Sequence, residues 1–220
     1  ADVNSDRQYC KFADAVDLYI RYVDKLASVS TYKKKTFHDY HSHINMIVEY
    51  NATRLHPIIY MYQLDQLFVT DFLDYILLDR DSSVRTRNNY RNFFSIFCTW
   101  LVQKKYIMSN PCSDIKRLPD KAKFRSPVSP QQLSQLQSYL ERENKYFLLA
   151  CRMEYYTFIR PDELSNIRIG NIHLRDQKVF ISGTISKNRN DGMVGLNDEL
   201  CRMMIDLGVL SQPSTFYLFG

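Results

Sequence analysis

The residue best placed to do chemistry is an arginine at the end of an apolar, aromatic run. It is Arg160, and the residues 161–163 after it are proline, aspartate and glutamate. Proline suits the first turn of a helix, where its missing N–H is not needed, and acidic residues suit the positive end of that helix. Arg160 is therefore predicted to lie between a buried helix and a short new one. There its guanidinium either presents its fork to a phosphate or forms a structural pair with Glu163.

A second cationic candidate lies in a turn further along the chain. Residues 186–192 read S-K-N-R-N-D-G, and a stretch rich in asparagine that ends in glycine is typical of a hairpin turn. A lysine at a hairpin tip is usually only solvated. Lys187 and Arg189 are both candidates for chemistry in this turn.

The pattern around Arg160 resembles the first catalytic box of the tyrosine recombinases, the phage-integrase family. That box is roughly T-G-x-R-x-x-E-L-x-x-L followed by D-I. The positions that match it are Thr157, Arg160, Glu163, Leu164, Ile167 and Ile172. Phe158 stands in place of the usual glycine, and Asn171 in place of the aspartate. The resemblance implies that Arg160 is the first catalytic arginine and Glu163 its supporting carboxylate, and we expect Arg160 to be buried beside Glu163.

The same resemblance gives the turn lysine a role. The family carries a catalytic lysine on a hairpin, before a motif similar to V-P-L, and here residues 193–196 read M-V-G-L with glycine for proline. Lys187 is thereby implied to be the general acid that protonates the leaving oxygen, and Arg189 is the alternative.

The implied reaction is a pair of transesterifications on DNA. A tyrosine attacks a phosphodiester, leaving a 3′-phosphotyrosyl bond and a free 5′-hydroxyl, and a partner strand's hydroxyl reverses the step. Because the bond energy is retained in the covalent intermediate, neither ATP nor a metal is required, so no cofactor is expected. The resemblance implies double-stranded DNA as the partner and a tetramer on DNA for the full-length protein.

The second catalytic box and the tyrosine nucleophile are expected to lie beyond residue 220. No H-x-x-R follows Lys187, and Tyr217 is the only later tyrosine. Tyr217 belongs to the apolar ending 216–219, which resembles the family's segment before its second box, so it comes too early to be the nucleophile. We therefore expect these residues to bind duplex DNA without forming a covalent adduct.

Composition permits this interpretation. The chain has 220 residues, of which 45% are hydrophobic and 24% charged, enough for two small domains. The five cysteines include no C-x-x-C pair, which predicts reduced thiols in a cytoplasmic protein. We expect no membrane span and no signal peptide. Three histidines in one helix (38, 41 and 43) lack acidic or cysteine ligands, so no metal site is expected.

The net charge of +5 is concentrated in one segment. Residues 104–125 hold seven lysines and arginines against two aspartates, so they carry the whole surplus. Residues 107–128 also contain three prolines, which is typical of a linker. A basic linker between two domains suits contact with duplex phosphates. The DNA-binding candidates in it are Lys121, Lys123 and Arg125.

Residues 1–106 are predicted to form a helical DNA-binding domain. Apolar residues recur at helical spacing over 6–27, 31–50, 70–78 and 84–105, with Thr31 and Thr70 as caps of the second and third helices. Four such helices resemble the SAM-like core-binding domain of the tyrosine recombinases, in which the second and fourth helices face DNA. The candidates at their starts are Lys33, Lys34, Lys35, Arg85, Arg87, Asn88 and Arg91. The alternative for both groups is a solvated polar surface.

Residues 129–220 are predicted to be the first part of a mixed α+β catalytic domain. Helices are expected over 129–142, 146–158 and 198–207, with strands over 171–174, 178–181 and 193–196. The last residues, 216–219, are expected to be extended. The fold class is thus mainly α, with a small antiparallel sheet in the second domain. Two other functions stay open: a non-catalytic DNA-binding module or regulator, and a helical protein-interaction domain with a basic hinge.

Overall fold

The structure is a computed structural model that describes residues 9–29, 34–121 and 126–219. The chain forms two compact units, which divide between Lys123 and Phe124. Four residues singled out above, Thr31, Lys33, Lys123 and Arg125, lie outside the described residues. The expected start of the first helix at residue 6 is wrong, because Lys11 has an extended backbone that bridges to Tyr60 and the helix begins at Phe12.

The described part of the first unit is built from four α-helices, as the apolar spacing predicts. They are α1 (Phe12–Ser28), α2 (Lys34–Thr53), α3 (Gln66–Asp74) and α4 (Val84–Gln103). Aromatic side chains dominate the core between them. The ring of Tyr19 from α1 lies 4.8 Å from that of Phe97 and 5.2 Å from that of Trp100, both on α4. Such aromatic pairs add to the stabilisation that burial alone provides.

The third helix begins earlier than its predicted cap. Asp65 is the N-cap, and its side chain accepts a hydrogen bond from the Phe68 N–H at 2.8 Å. Thr70 lies inside the helix, where its hydroxyl donates to the carbonyl of Gln66. A π-helical turn over Tyr75–Asp79 continues α3. The prediction of Thr70 as the cap is therefore wrong, because Asp65 satisfies the free N–H groups one turn earlier.

The first half of the predicted linker is packed against the helical unit. Ile107, Cys112 and Ile115 are buried in the same core as the four helices. The chain is therefore not an extended linker over residues 107–115, although its basic residues on either side are exposed.

The second unit starts with two helices, the first of which opens with a capping box. These are α5 (Pro130–Glu143) and α6 (Lys145–Thr157). The Ser129 side chain accepts a hydrogen bond from the Gln132 N–H, and the Gln132 side chain accepts one from the Ser129 N–H. This reciprocal arrangement is a capping box. The short helix α7 (Pro161–Leu164) and α8 (Asp198–Asp206) are the other α-helices in the described part of this unit.

A three-stranded antiparallel sheet packs on these helices. Its strands are β1 (Ile172–His173), β2 (Lys178–Ile181) and β3 (Gly192–Gly195), in the order β1-β2-β3. The central strand places Val179 opposite both Ile172 and Val194. Val179 is fully buried in a core shared with Leu149 and Met153 of α6. The hairpin β2–β3 therefore has a fixed base, and residues 182–191 connect its strands.

The last described residues pair with the segment just after α7. The Leu218 N–H donates to the carbonyl of Ile167 at 2.8 Å, and an antiparallel bridge joins Arg168 to Tyr217. Within residues 216–219, which were expected to be extended, the structure thus has one β-bridge residue, Tyr217. Among the residues that the structure describes, no helix combines the length and apolar character needed to cross a bilayer. The predicted fold class is confirmed, with a helical unit followed by an α+β unit that has a small antiparallel sheet.

Candidate active site and nucleic-acid interface

A sharp turn between α6 and α7 positions Arg160. Phe158 ends α6 in the left-handed conformation, with φ 55° and ψ 21°. Ile159 then enters the core, where it is 3% exposed. Arg160 is the N-cap residue of α7, and Pro161 occupies the first helical position, as predicted. The chain therefore leaves one helix and begins the next within three residues, with Arg160 at the start of the second.

Arg160 and Glu163 form an ion pair across the first turn of α7. The Nη1 atom of Arg160 lies 2.8 Å from Oε1 of Glu163, and the two side chains are 49% and 9% exposed. The pairing of the two residues is as predicted. The expected burial of Arg160 is wrong, because the buried member of the pair is the carboxylate. The Arg160 side chain is thus half exposed to solvent, while its Nη1 atom is held by Glu163.

The same carboxylate also holds the turn that carries Lys187. Oε1 of Glu163 accepts a hydrogen bond from the Lys187 backbone N–H at 2.8 Å, while Oε2 accepts one from the Arg160 backbone N–H at 3.4 Å. Glu163 therefore joins two segments that are 24 residues apart in the chain. The sequence predicted its contact with Arg160 but not its contact with Lys187.

The ionisation of Glu163 follows from these contacts. Burial raises the pKa of this carboxyl group, but hydrogen bonds from the Lys187 backbone and from the side chain and backbone of Arg160 act in the opposite direction. The net effect is a pKa below its ordinary value. Hydrogen bonds to the charged form have this effect. Glu163 is therefore a carboxylate at neutral pH, and it carries the negative charge that orients Arg160.

Residues 182–191 form a folded loop. The Ser186 N–H donates to the carbonyl of Ser182 at 2.9 Å, and the Gly183 N–H donates to the Asp191 side chain at 2.6 Å. A Cβ atom at Gly183 would lie 2.7 Å from the carbonyl oxygen of Arg189. The loop therefore closes on itself only with glycine at 183, a requirement that the sequence analysis missed.

The arrangement gives an exposed cationic surface with a rigid base. The side chains of Lys187 and Arg189 are exposed, as is that of Arg160. Positive groups fixed in this way stabilise a phosphate without reorganising when its charge changes. Both Lys187 and Arg189 lie on the 182–191 loop, so both stay candidates for the proton donor.

The start of α4 differs from its predicted role. Asn88 is 2% exposed, and its amide both donates to the Leu118 carbonyl at 2.8 Å and accepts from the Leu118 N–H at 3.0 Å. Arg87 is 5% exposed and donates to the Lys116 carbonyl at 3.0 Å. Arg91 donates to the carbonyls of Ile115 and Cys112. We call Arg87, Asn88 and Arg91 the α4 strap, since they bind the segment 112–118 to the helix.

Burial contradicts the prediction that Arg87 and Asn88 reach bases or phosphates. Both side chains are buried and donate to backbone carbonyls of the protein, so neither has surface left for a base edge. Burial lowers the pKa of the Arg87 guanidinium, with Asp74 opposing that effect and Arg91 adding to it. Its Nε atom is buried and has no hydrogen-bond partner among the described residues. Arg91 is half-buried and directs its guanidinium to the same segment.

Three other DNA-binding candidates, Lys35, Arg85 and Lys121, lie at the surface. Lys35 and Lys121 are exposed, and the structure includes Lys34 as the first residue of α2. The Arg85 side chain is 72% exposed and pairs with Asp120 at 2.9 Å. Asp120 thus neutralises part of the charge of Arg85.

Comparison with known proteins identifies the fold. No protein-family model and no curated protein matches the sequence. Solved structures do match. A lambda integrase dimer bound to a COC′ core site has a TM-score of 0.69 at 16% identity, over 94% of this chain and 57% of that one. The chain has the integrase fold.

Two further integrase structures support this assignment. A lambda integrase tetramer bound to a Holliday junction has a TM-score of 0.68 at 19% identity, over 94% of this chain and 57% of that one. The Tn1549 transposon integrase in complex with transposon right end DNA has a TM-score of 0.67 at 14% identity, over 84% and 62%. This chain thus spans about three fifths of the integrases that it matches. The resemblance read from residues 157–172 is confirmed at the level of the fold.

Proposed function

We propose that the chain is part of a tyrosine recombinase that cuts and rejoins DNA at specific sites. The observation that carries this proposal is the anchoring of Arg160 and the Lys187 turn by the single buried carboxylate of Glu163. A cation pair held in this way fits a phosphodiester, and the integrase fold of the chain supports the same substrate.

In this proposal each cation has one task. Arg160 binds the non-bridging oxygens and stabilises the negative charge that grows on them as a tyrosine oxygen attacks the phosphorus. The bond from phosphorus to the 5′-oxygen breaks, and Lys187 donates a proton to that oxygen as it leaves. The products are a 3′-phosphotyrosine and a free 5′-hydroxyl. The reverse step, with the hydroxyl of a partner strand, rejoins the DNA.

The nucleophile is proposed to lie outside these 220 residues. Tyr217 is the only tyrosine after Lys187, and the Arg168 guanidinium lies over its ring, 5.2 Å from the ring centroid. The backbone of Tyr217 also bridges to Arg168. A residue held in this way by its neighbour is a poor candidate for an attack on DNA.

DNA affinity is proposed to come from the exposed basic side chains of both units. Lys35, Arg85 and Lys121 would contact phosphates from the first unit. Such contacts supply affinity without sequence preference. We also propose that the full-length protein self-associates on DNA in the cytoplasm, since the lambda integrase is seen as a dimer on a core site and as a tetramer on a Holliday junction.

Two measurements test the proposal. Gel shifts with a duplex at several salt concentrations are expected to show binding that falls steeply as salt rises. The absence of binding at low salt would favour a protein-interaction domain instead. Incubation with a nicked suicide substrate, followed by denaturing electrophoresis, is expected to give a covalent band with the full-length protein and none with these 220 residues. Binding without any adduct from the full-length protein would indicate a non-catalytic regulator.

A further inference from the structure

Phe158 has an unfavourable conformation and an unfavourable environment. Its backbone is left-handed, with φ 55°, a conformation in which a side chain clashes with the following carbonyl group and which glycine adopts most easily. Its side chain is 86% exposed. The other non-glycine residues of positive φ in the described ranges are polar or charged, namely Asp81, Lys105, Gln177 and Arg189. Phe158 is thus the apolar residue of this set, and its exposed ring adds little packing to the hydrophobic core.

Phe158 lies two residues before Arg160, the residue proposed to bind a phosphate. Phe158 and Arg160 are both exposed, and Ile159 between them is buried, so the two side chains emerge on either side of one anchored residue. Tyr155, on the last turn of α6, is 73% exposed and adds a second aromatic surface. Strained residues that a fold retains without a packing reason cluster at sites that contact a ligand.

We propose that the Phe158 ring packs against the sugar and base next to the phosphate that Arg160 binds. This inference rests on the proposed function and names a further contact of the same site. Aromatic rings contact bases with little regard to sequence, because every base presents a π-face. The ring would add an apolar contact to a site that otherwise offers only charge.

Variants at position 158 separate this role from a structural one. Phe158→Gly removes both the ring and the strain, so we expect the melting temperature to rise by about 2–6 °C. We expect its affinity for a fluorescently labelled duplex of arbitrary sequence to fall about 5- to 50-fold. The slope of affinity against salt is expected to stay the same, since an apolar contact releases no counterions. Phe158→Ala is expected to lose the same affinity, and Phe158→Tyr to keep it.

The matched control is Gln177→Gly. Gln177 is exposed, has φ 51° and lies in the same unit, so this variant relieves similar strain away from Arg160 and is expected to leave affinity unchanged. Unchanged affinity in Phe158→Gly, or a loss with a reduced salt slope, would overturn the inference. If the unaltered chain itself shows no salt-dependent binding, the proposed function fails instead, so the two failures are distinguishable.

Discussion

Two polar clusters in this chain invite the same interpretation from sequence but differ in what their atoms contact. In the α4 strap, the side chains of Arg87, Asn88 and Arg91 point inward to backbone carbonyls of residues 112–118. At the turn before α7, Glu163 points inward instead and leaves Arg160 half exposed. The cation is the buried structural group in the first cluster and the exposed group in the second.

The difference shows what decides whether a basic residue is available to a ligand. A segment that packs on a helix without regular structure brings carbonyl groups that need donors. Arg87 and Asn88 satisfy such a segment, so their chemistry is used within the protein. Near Arg160, a buried carboxylate accepts hydrogen bonds from the backbone N–H groups of Arg160 and Lys187, and the Arg160 side chain stays half exposed.

The largest effect that tests this comparison is expected for Lys187. In the full-length protein, Lys187→Ala is expected to slow strand cleavage by about 10²–10⁴-fold, because the leaving oxygen loses its proton donor. A substrate with sulfur in place of the 5′-oxygen needs no proton, so it is expected to restore the rate. Arg189→Ala is the matched control on the same loop. A defect in Arg189→Ala that sulfur relieves, with none in Lys187→Ala, would move the role to Arg189.

The next effect is expected for Arg160→Lys. Lysine retains the charge but cannot form the two-pronged contact of a guanidinium, so cleavage is expected to fall about 10²–10³-fold. The melting temperature and DNA affinity are expected to change little, because the side chain is half exposed. Arg168→Lys, an exposed arginine after the same short helix, serves as the control. Loss of stability with unchanged activity of the folded fraction would make Arg160 a structural residue like Arg87.

The strap is expected to show the opposite behaviour. Asn88→Ala leaves both the N–H and the carbonyl of Leu118 without their partner, so the free energy of unfolding is expected to fall by about 2–3 kcal/mol. Urea denaturation measures this change. DNA affinity of the folded protein is expected to stay the same. Arg85→Ala, three residues earlier and exposed, is expected to change stability by less than about 0.5 kcal/mol. Lost affinity with intact stability in Asn88→Ala would place its amide on DNA.

The sequence predicted the features that depend on neighbouring residues. Apolar spacing placed α1, α2 and α4, and the proline with two acids after Arg160 placed the start of α7. Ser129 and Pro130 likewise predicted the start of α5. These signals work because helix caps and amphipathic faces are decided within a turn or two of the chain.

Contacts between distant segments were not predictable in the same way. Leu118 meets Asn88 across 30 residues, and Lys187 meets Glu163 across 24. Nothing in the residue types near Asn88 indicates that a carbonyl group from so far away will need a donor. The residue types alone therefore predict a DNA-reading surface at the polar start of α4, and they predict only the contact of Glu163 with Arg160.

A smaller effect is expected from the titration of Glu163. Its pKa is lower in the folded protein than its ordinary value, so its contribution to stability is present above the pKa of the unfolded chain and is lost as pH falls through the folded pKa. At neutral pH, Glu163→Gln is expected to lower the free energy of unfolding by about 1–2 kcal/mol. The gap between the two proteins is expected to close in the acidic range. A gap that stays constant with pH would mean that the charge of Glu163 does not hold the Lys187 turn.

The smallest effect is expected at the surface of the first unit. Lys121 is exposed and lies beside the pair of Arg85 with Asp120. If Lys121 neutralises one phosphate, Lys121→Ala weakens binding to specific and random duplexes alike and lowers the salt slope by about 1. Arg87→Gln, measured on folded protein, is expected to leave the slope unchanged, because a buried guanidinium releases no counterion from DNA. Equal slopes in both variants would contradict the distinction between the strap and the exposed charges, since a buried and an exposed cation would then contribute alike.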